Sequence, residues 1–215
     1  MIERFPQFST KDRIIQAAEK LYIEHGITAT SLRHITQEAN VNLAAVNYYF
    51  GSKDGLTRAI FLHRCIPYVR SSAQALRALP SSATVPDIVN ALLLPLEELS
   101  TLPGHRGIQI LNLLIRIGNE APQNHQYIRE ATEEMLHTLL LLLHANLPEM
   151  DDHILRRRLF ILFKAILYTF NGIDAFNMYG NKPHVLLNMR YFIAELRVLI
   201  EAGLTAPPPE IEKHF

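Results

Sequence analysis

Apolar residues recur along this chain every three to four positions, and short polar or Gly- and Pro-containing segments interrupt them. That is the period of helices packed through one face. Ile14, Ala18, Leu21, Tyr22 and His25 share a face of a first helix, and Gly26 supplies its stop. Ser9 and Thr10 offer N-caps, with Asp12 in capping-box position to Ser9. The cluster Thr28-Ala29-Thr30-Ser31 precedes Leu32, Ile35, Thr36 and Ala39, predicting a short second helix that ends at Asn40. Val41-Asn42 is a tight connection, and Asn42 caps a third helix from Leu43 to Phe50. Gly51-Ser52-Lys53-Asp54 ends that helix and caps the next.

Two short helices packed on a longer one form a helix-turn-helix, with Ile35, Ala39, Val41 and Val46 closing a miniature core. In that motif the second short helix enters the major groove and reads base edges from its N-terminal end. Asn42, Leu43, Ala44 and Ala45 occupy that end here, and an Ala45 methyl suits contact with thymine. Asn47 suits adenine, a phosphate or solvent. Tyr48 and Tyr49 offer hydroxyls to the backbone, and periodicity over so few residues does not decide which of them faces outward. Thr30 and Ser31, at the start of the second helix, are placed both to cap it and to hold a phosphate.

The remainder reads as helices throughout. One runs from Leu56 and is expected to continue, kinked at Pro67, to about Leu79. Thr84-Val85-Pro86-Asp87 is a strong start for another, which Pro95 is expected to bend or break before Ser100. Helices at about 104–118 and 122–145 follow, then one from Asp151-Asp152 to about Met178 and a last from Asn181-Lys182-Pro183 to near Gly203. The tail from Thr205 to Phe215 carries Pro207-Pro208-Pro209 and is expected to be poorly ordered. With 9 glycines in 215 residues and few β-branched runs, the fold class is all-α. Three segments result: a head at 1–52, a helical domain at 53–204 and a flexible tail at 205–215.

Charge neither adds to nor removes the nucleic-acid reading. The net charge is zero, and the first 58 residues carry seven Lys and Arg against six Asp and Glu. DNA binding therefore has to come from the placement of a few groups and from helix N-termini. Cys65 is alone, which fits a reducing compartment, and no apolar run approaches the roughly 20 residues of a membrane span. A soluble, cytoplasmic protein is expected. His137 and His144 share a helix face and His63 lies near Cys65, but neither pair has metal-ligand spacing, so no metal is expected. No nucleophile motif or phosphate loop points to an enzyme, and no cofactor is expected.

Residues 10–60 resemble the N-terminal domain of TetR-type repressors. The resemblance rests on Arg13-Ile14-Ile15, Ala18, Leu21, His25-Gly26, Thr30-Ser31-Leu32-Arg33-His34-Ile35, Ala39-Asn40-Val41-Asn42 and Tyr48 through Leu56 in that order. Asn40 stands where the family commonly has Gly, and Asn tolerates a left-handed backbone. Asn47 replaces a common Tyr. The stretch Val41 to Lys53 is similar to a branch that includes fatty-acid-responsive repressors.

The resemblance implies that Lys53 binds phosphate and that the chain represses transcription as a homodimer on palindromic operator DNA. It further implies release by a small effector, apolar or acyl, held among the central helices. Asn112, Arg116, Tyr127, Tyr168 and Asn171 are the candidate polar contacts there, with Arg116 the anchor for an acidic headgroup. The last two helices are the implied dimer interface, and their apolar faces are broad: Leu155, Leu159, Leu162, Phe163 and Ile166 on one, Met189, Phe192, Ile193, Leu196, Leu199 and Ile200 on the other. Two other readings remain open, a dimeric DNA-binding regulator without an effector and an all-α lipid-binding protein.

Overall fold

A computed structural model of the chain describes residues 9–64, 66–104, 106–121, 125–169 and 189–208. All regular structure among them is α-helical. The helices are α1 (Thr10–His25), α2 (Leu32–Glu38), α3 (Leu43–Phe50), α4 (Lys53–Arg64), α5 (Ile66–Arg77), α6 (Val85–Ser100), α7 (Arg106–Glu120), α8 (His125–Asn146), α9 (Asp152–Thr169) and α10 (Met189–Thr205). Expected features at Cys65, Pro122, Asn171, Asn181-Lys182-Pro183 and beyond Pro208 lie outside the described residues.

The helix starts follow from local chemistry. Ser9 and Asp12 form a reciprocal capping box, and Thr84 and Asp87 form another at α6. The hydroxyl at each cap lowers the pKa of its Asp. Pro95 does not break α6, which runs through it to Ser100. Leu92, Leu93, Leu96 and Leu99 are buried on both sides of the proline, so packing outweighs the lost hydrogen bond. The Leu92 carbonyl, in the turn that Pro95 crowds, also accepts a bond from the buried Ser72 hydroxyl at 3.1 Å.

The chain divides into two compact units, Met1–Pro67 with Gln109–Ala131, and Tyr68–Ile108 with Thr132–Phe215. The first unit extends beyond a head of 1–52 because the motif's core needs more than its own helices. Leu56, Ile60 and Phe61 of α4 and Leu113 and Ile117 of α7 are buried in one cluster with Ile14, Tyr22, Ile35 and Val46. At its centre the Tyr22 hydroxyl lies 3.0 Å from Thr57 Oγ1. Thr57 donates its own proton to the Lys53 carbonyl at 2.9 Å, so Tyr22 is the donor to Thr57. Arg64 pairs with Glu19, tying α4 to α1 a second time.

In the second unit α10 packs on α6 and α9. Arg197 of α10 pairs with Glu97 of α6 at 2.6 Å. Leu155, Leu159, Ile166, Met189, Ile193, Leu196 and Ile200 are buried in this core. These residues, expected at a dimer interface, are thus taken up by the protomer itself. Leu162, Phe163 and Phe192 are half-buried and Leu199 is exposed. The exposed large apolar residues of the two helices, among the described residues, are Phe160, Ile161, Tyr168, Tyr191, Val198 and Leu199. Helical periodicity shows that both helices are apolar over a wide arc; it does not say which part of the arc the protomer covers. The first residues of the tail are also held, since Arg158 donates to the Leu204 and Pro207 carbonyls at 2.8 and 2.9 Å.

Candidate nucleic-acid interface

The turn between α2 and α3 is a complete Schellman closure. The Asn40 N–H reaches the Gln37 carbonyl at 3.2 Å and the Val41 N–H reaches Thr36 at 3.0 Å. Asn40 has φ of 50°, the left-handed region expected at this position. Asn42 then caps α3, its Oδ1 accepting from the Ala45 N–H at 2.9 Å. Val46 is fully buried and fixes the roll of α3, which leaves Leu43, Ala44, Asn47 and Tyr48 exposed. Ala45 is half-buried against the core.

Tyr48 is 83% exposed and Tyr49 is 43% exposed, so Tyr48 is the tyrosine that projects most freely. Their rings meet edge to face at 5.0 Å, and Tyr49 also meets Phe50. Tyr49 thus braces Tyr48 rather than duplicating it. Gly51, at φ of 73°, ends α3 with its N–H on the Asn47 carbonyl. A Cβ at Gly51 would meet nothing, so the need there is purely conformational. At Gly55 the need is space: a Cβ would sit 2.0 Å from the Phe50 carbonyl oxygen. That close approach places Lys53, at the first turn of α4, directly after α3.

Thr30 is not on the surface. It is 2% exposed, and its hydroxyl donates inward to the Gly26 carbonyl at 2.7 Å, with Leu21 O at 3.3 Å. The hydroxyl closes the α1–α2 turn instead of meeting a phosphate. Ser31 is exposed and caps α2 by accepting from the His34 N–H at 3.1 Å, leaving its proton available. Arg33, His34 and Gln37 are exposed on the same short helix.

The even charge balance of this region is uneven in space. Asp12 is engaged in its capping box, Glu19 with Arg64, and Glu38 with Lys20 at 2.6 Å. Glu19 and Glu38 are neutralised by ion pairs, while Arg33 and Lys53, beside α2 and α3, form none among the described residues.

The candidate effector contacts lie elsewhere. Asn112, Arg116 and Tyr127 belong to the first unit, Tyr168 to the second. Asn112 Oδ1 is buried without a hydrogen-bond partner among the described residues. The Arg116 guanidinium is already paired with Glu120 at 3.1 Å, and Tyr127 lies under Arg58 at 3.8 Å. Tyr168 is exposed, with Lys164 Nζ 5.7 Å from its ring. Among the described residues there is no group of three or more His, Cys, Asp or Glu able to hold a metal, and no helix long and apolar enough to cross a membrane.

One residue of this region had no signal in the sequence. Glu120 Oε2 accepts from the Ile27 N–H at 2.8 Å and the Thr28 N–H at 3.1 Å, across 93 and 92 residues of chain. Burial pushes the Glu120 carboxyl up, but the Thr28 N–H, Arg116 and the Ile27 N–H outweigh it and hold it below its usual range.

Comparison with known proteins agrees with this geometry. Residues 14–60 match the family described as bacterial regulatory proteins, tetR family, and residues 90–203 match the tetracyclin repressor-like C-terminal domain. The probable HTH-type transcriptional regulator YttP of Bacillus subtilis strain 168 is 48% identical over 48 residues, which is 22% of this chain and 23% of that protein. The fold is similar to the TetR family regulator PfmR from Thermus thermophilus, with a TM-score of 0.58 at 20% identity, covering 94% of this chain and 100% of that one. It is also similar to a TetR-like regulator from a Rhodococcus species, with a TM-score of 0.58 at 16% identity over 94% of this chain and 96% of that one. With a complete helix-turn-helix at its N-terminal end and the family's helical domain behind it, the chain belongs to the TetR family: it is a transcriptional regulator with a DNA-binding domain, not an enzyme.

Proposed function

We propose that the chain represses transcription in the cytoplasm by binding palindromic operator DNA as a homodimer, and that a small apolar or acyl effector releases it. The observation that carries the DNA part is the outward face of α3: Leu43, Ala44, Asn47 and Tyr48 are exposed while buried Val46 holds the helix in one rotation. In this reading α3 lies in the major groove, with Asn42, Ala45 and Tyr49 supporting the contact. Ser31 and Lys53 meet phosphate on either side.

Dimerisation is supported by the exposed aromatic and aliphatic residues of α9 and α10, where Phe160, Ile161, Tyr191, Val198 and Leu199 present apolar side chains for a partner to cover. The effector part is supported by the buried, unpartnered Asn112 Oδ1. The pairing of Arg116 with Glu120 favours a second reading, a regulator with no acidic effector or none at all, because the expected anchor is occupied.

The test of both parts is a duplex selected from random DNA by the protein, titrated by fluorescence anisotropy with and without fatty acids and acyl-CoA esters. Release by a member of either class supports the first reading; tight binding unaffected by all of them supports the second.

A further inference from the structure

We propose that Glu120, held by Arg116, is a positioning residue for DNA reading: its carboxylate fixes the turn from which α2 starts, so affinity for DNA depends on a side chain that touches none. The proposal rests on the DNA-binding reading above. Its basis is a chain of contacts that runs from α7 to the motif inside the first unit. Oε2 of Glu120 takes both the Ile27 and the Thr28 N–H, and Oε1 takes Arg116 Nη1 at 3.1 Å. Both N–H groups belong to the turn that follows α1, and the carboxylate is their acceptor.

Gly26 is shaped to this arrangement. It has φ of 88°, and a Cβ there would stand 2.9 Å from both Arg116 Nη1 and Glu120 Oε2. The backbone conformation and the absence of a side chain are therefore both required for the pair to seat. From Gly26 the contacts continue without a gap. Its carbonyl accepts from Thr30, the Thr30 N–H reaches the Ile27 carbonyl at 3.3 Å, and Ser31 next to it caps α2. Through the turn at Asn40, α2 sets the start of α3. Ile27, Ile117 and Ala121 are buried in the same core, so the carboxylate sits on a rigid base and not on a loose end.

A negative charge is the right group for this role. A carboxylate accepting two backbone N–H bonds holds them more strongly than a neutral oxygen, and the arginine keeps it in place. Without it the turn keeps its core contacts but loses its defined geometry, and α2 and α3 must be ordered by DNA at a cost in affinity.

The experiment compares the full-length wild type with Glu120→Gln, which keeps the side chain's size, and with Gly26→Ala, which unseats the pair from the other side. Affinity is read by anisotropy on a fluorescein-labelled duplex that the wild type recovers from a random library. Measurements are made at a temperature where circular dichroism shows every variant fully folded, across a series of salt concentrations. The expected result is a loss of about fivefold or more for each variant, with the salt dependence unchanged because no phosphate contact is removed. Hydrogen exchange of the segment from Gly26 to Leu32 is expected to speed up in both.

Affinity within twofold of wild type in both folded variants, even with lowered melting temperatures, would overturn the proposal and leave Glu120 as a stabilising residue only. A changed salt slope in Glu120→Gln would overturn it too, by showing that the loss of charge acts on the phosphates and not through the turn. A wild type that recovers no duplex would overturn this proposal together with the DNA-binding reading.

Discussion

Replacing Tyr22 with Phe removes a single oxygen from the centre of the first unit, and the consequence can be worked out as a function of pH. The ring stays buried, so packing is retained. The bond to Thr57 at 3.0 Å is lost, and the Thr57 oxygen is left with one fewer donor away from solvent. That costs about 1–2 kcal/mol at neutral pH. Burial pushes the Tyr22 phenol up from 10.0 to about 12. Because the folded value is the higher one, the stabilisation is complete below the unfolded pKa and is lost as pH rises through the folded one. At about pH 11 the loss amounts to about 1.4 kcal/mol, the equivalent of one pKa unit. The Phe variant has no such loss. Its deficit against wild type should therefore shrink from about 1–2 kcal/mol near pH 8 to close to zero near pH 11. Urea unfolding followed by circular dichroism, at one fixed protein concentration, measures the difference, and ionisations common to both proteins cancel. A deficit that stays constant across this window, or grows, would refute the reasoning.

Three further outcomes are expected. Asn40→Gly should be neutral or slightly stabilising, whereas Asn40→Val, forced into φ of 50°, should cost about 1–2 kcal/mol, as read by thermal melts. Lys53→Ala should weaken binding to every duplex and lower the slope of log K against log salt by about one, while leaving base preference intact; an unchanged slope removes Lys53 from the phosphate contacts. Replacing exposed Phe160 and Leu199 with Glu together should yield a folded monomer by light scattering, whereas the same change at buried Leu155 and Ile193 should unfold the protomer. A dimer that survives the first pair would place the interface elsewhere.

What was legible in the sequence was short-range. The Ser9–Asp12 and Thr84–Asp87 boxes, the Asn42 cap and the left-handed Asn40 each depend on residues within a few positions, and each stands as the local pattern requires. The face of α3 was legible in part: Val46 reads as core and is buried, whereas Ala45, read as facing DNA, is half-buried against the same core. Long-range roles were not. Thr30 reads as a surface hydroxyl until its acceptors at Leu21 and Gly26 are placed beside it. Glu120 is an ordinary helix-end acid until the chain brings Ile27 and Thr28 to it. Pro95 reads as a bend or a break because propensity acts locally, while the buried leucines that keep α6 continuous act through the tertiary core. On α9 and α10, a wide apolar arc concealed the division between the protomer's own core and its exposed surface.

Whether α3 reads duplex DNA as one of a symmetric pair is decided by selecting binding sites from random DNA with wild-type protein and with Tyr48→Ala. The expected result is inverted repeats whose half-sites lie about 10 bp, or a multiple of that, apart, with a changed base preference within each half-site for Tyr48→Ala. Enrichment of no sequence, or the same half-site recovered by both proteins after further α3 substitutions at Ala44 and Asn47, would show that α3 is not the reading helix.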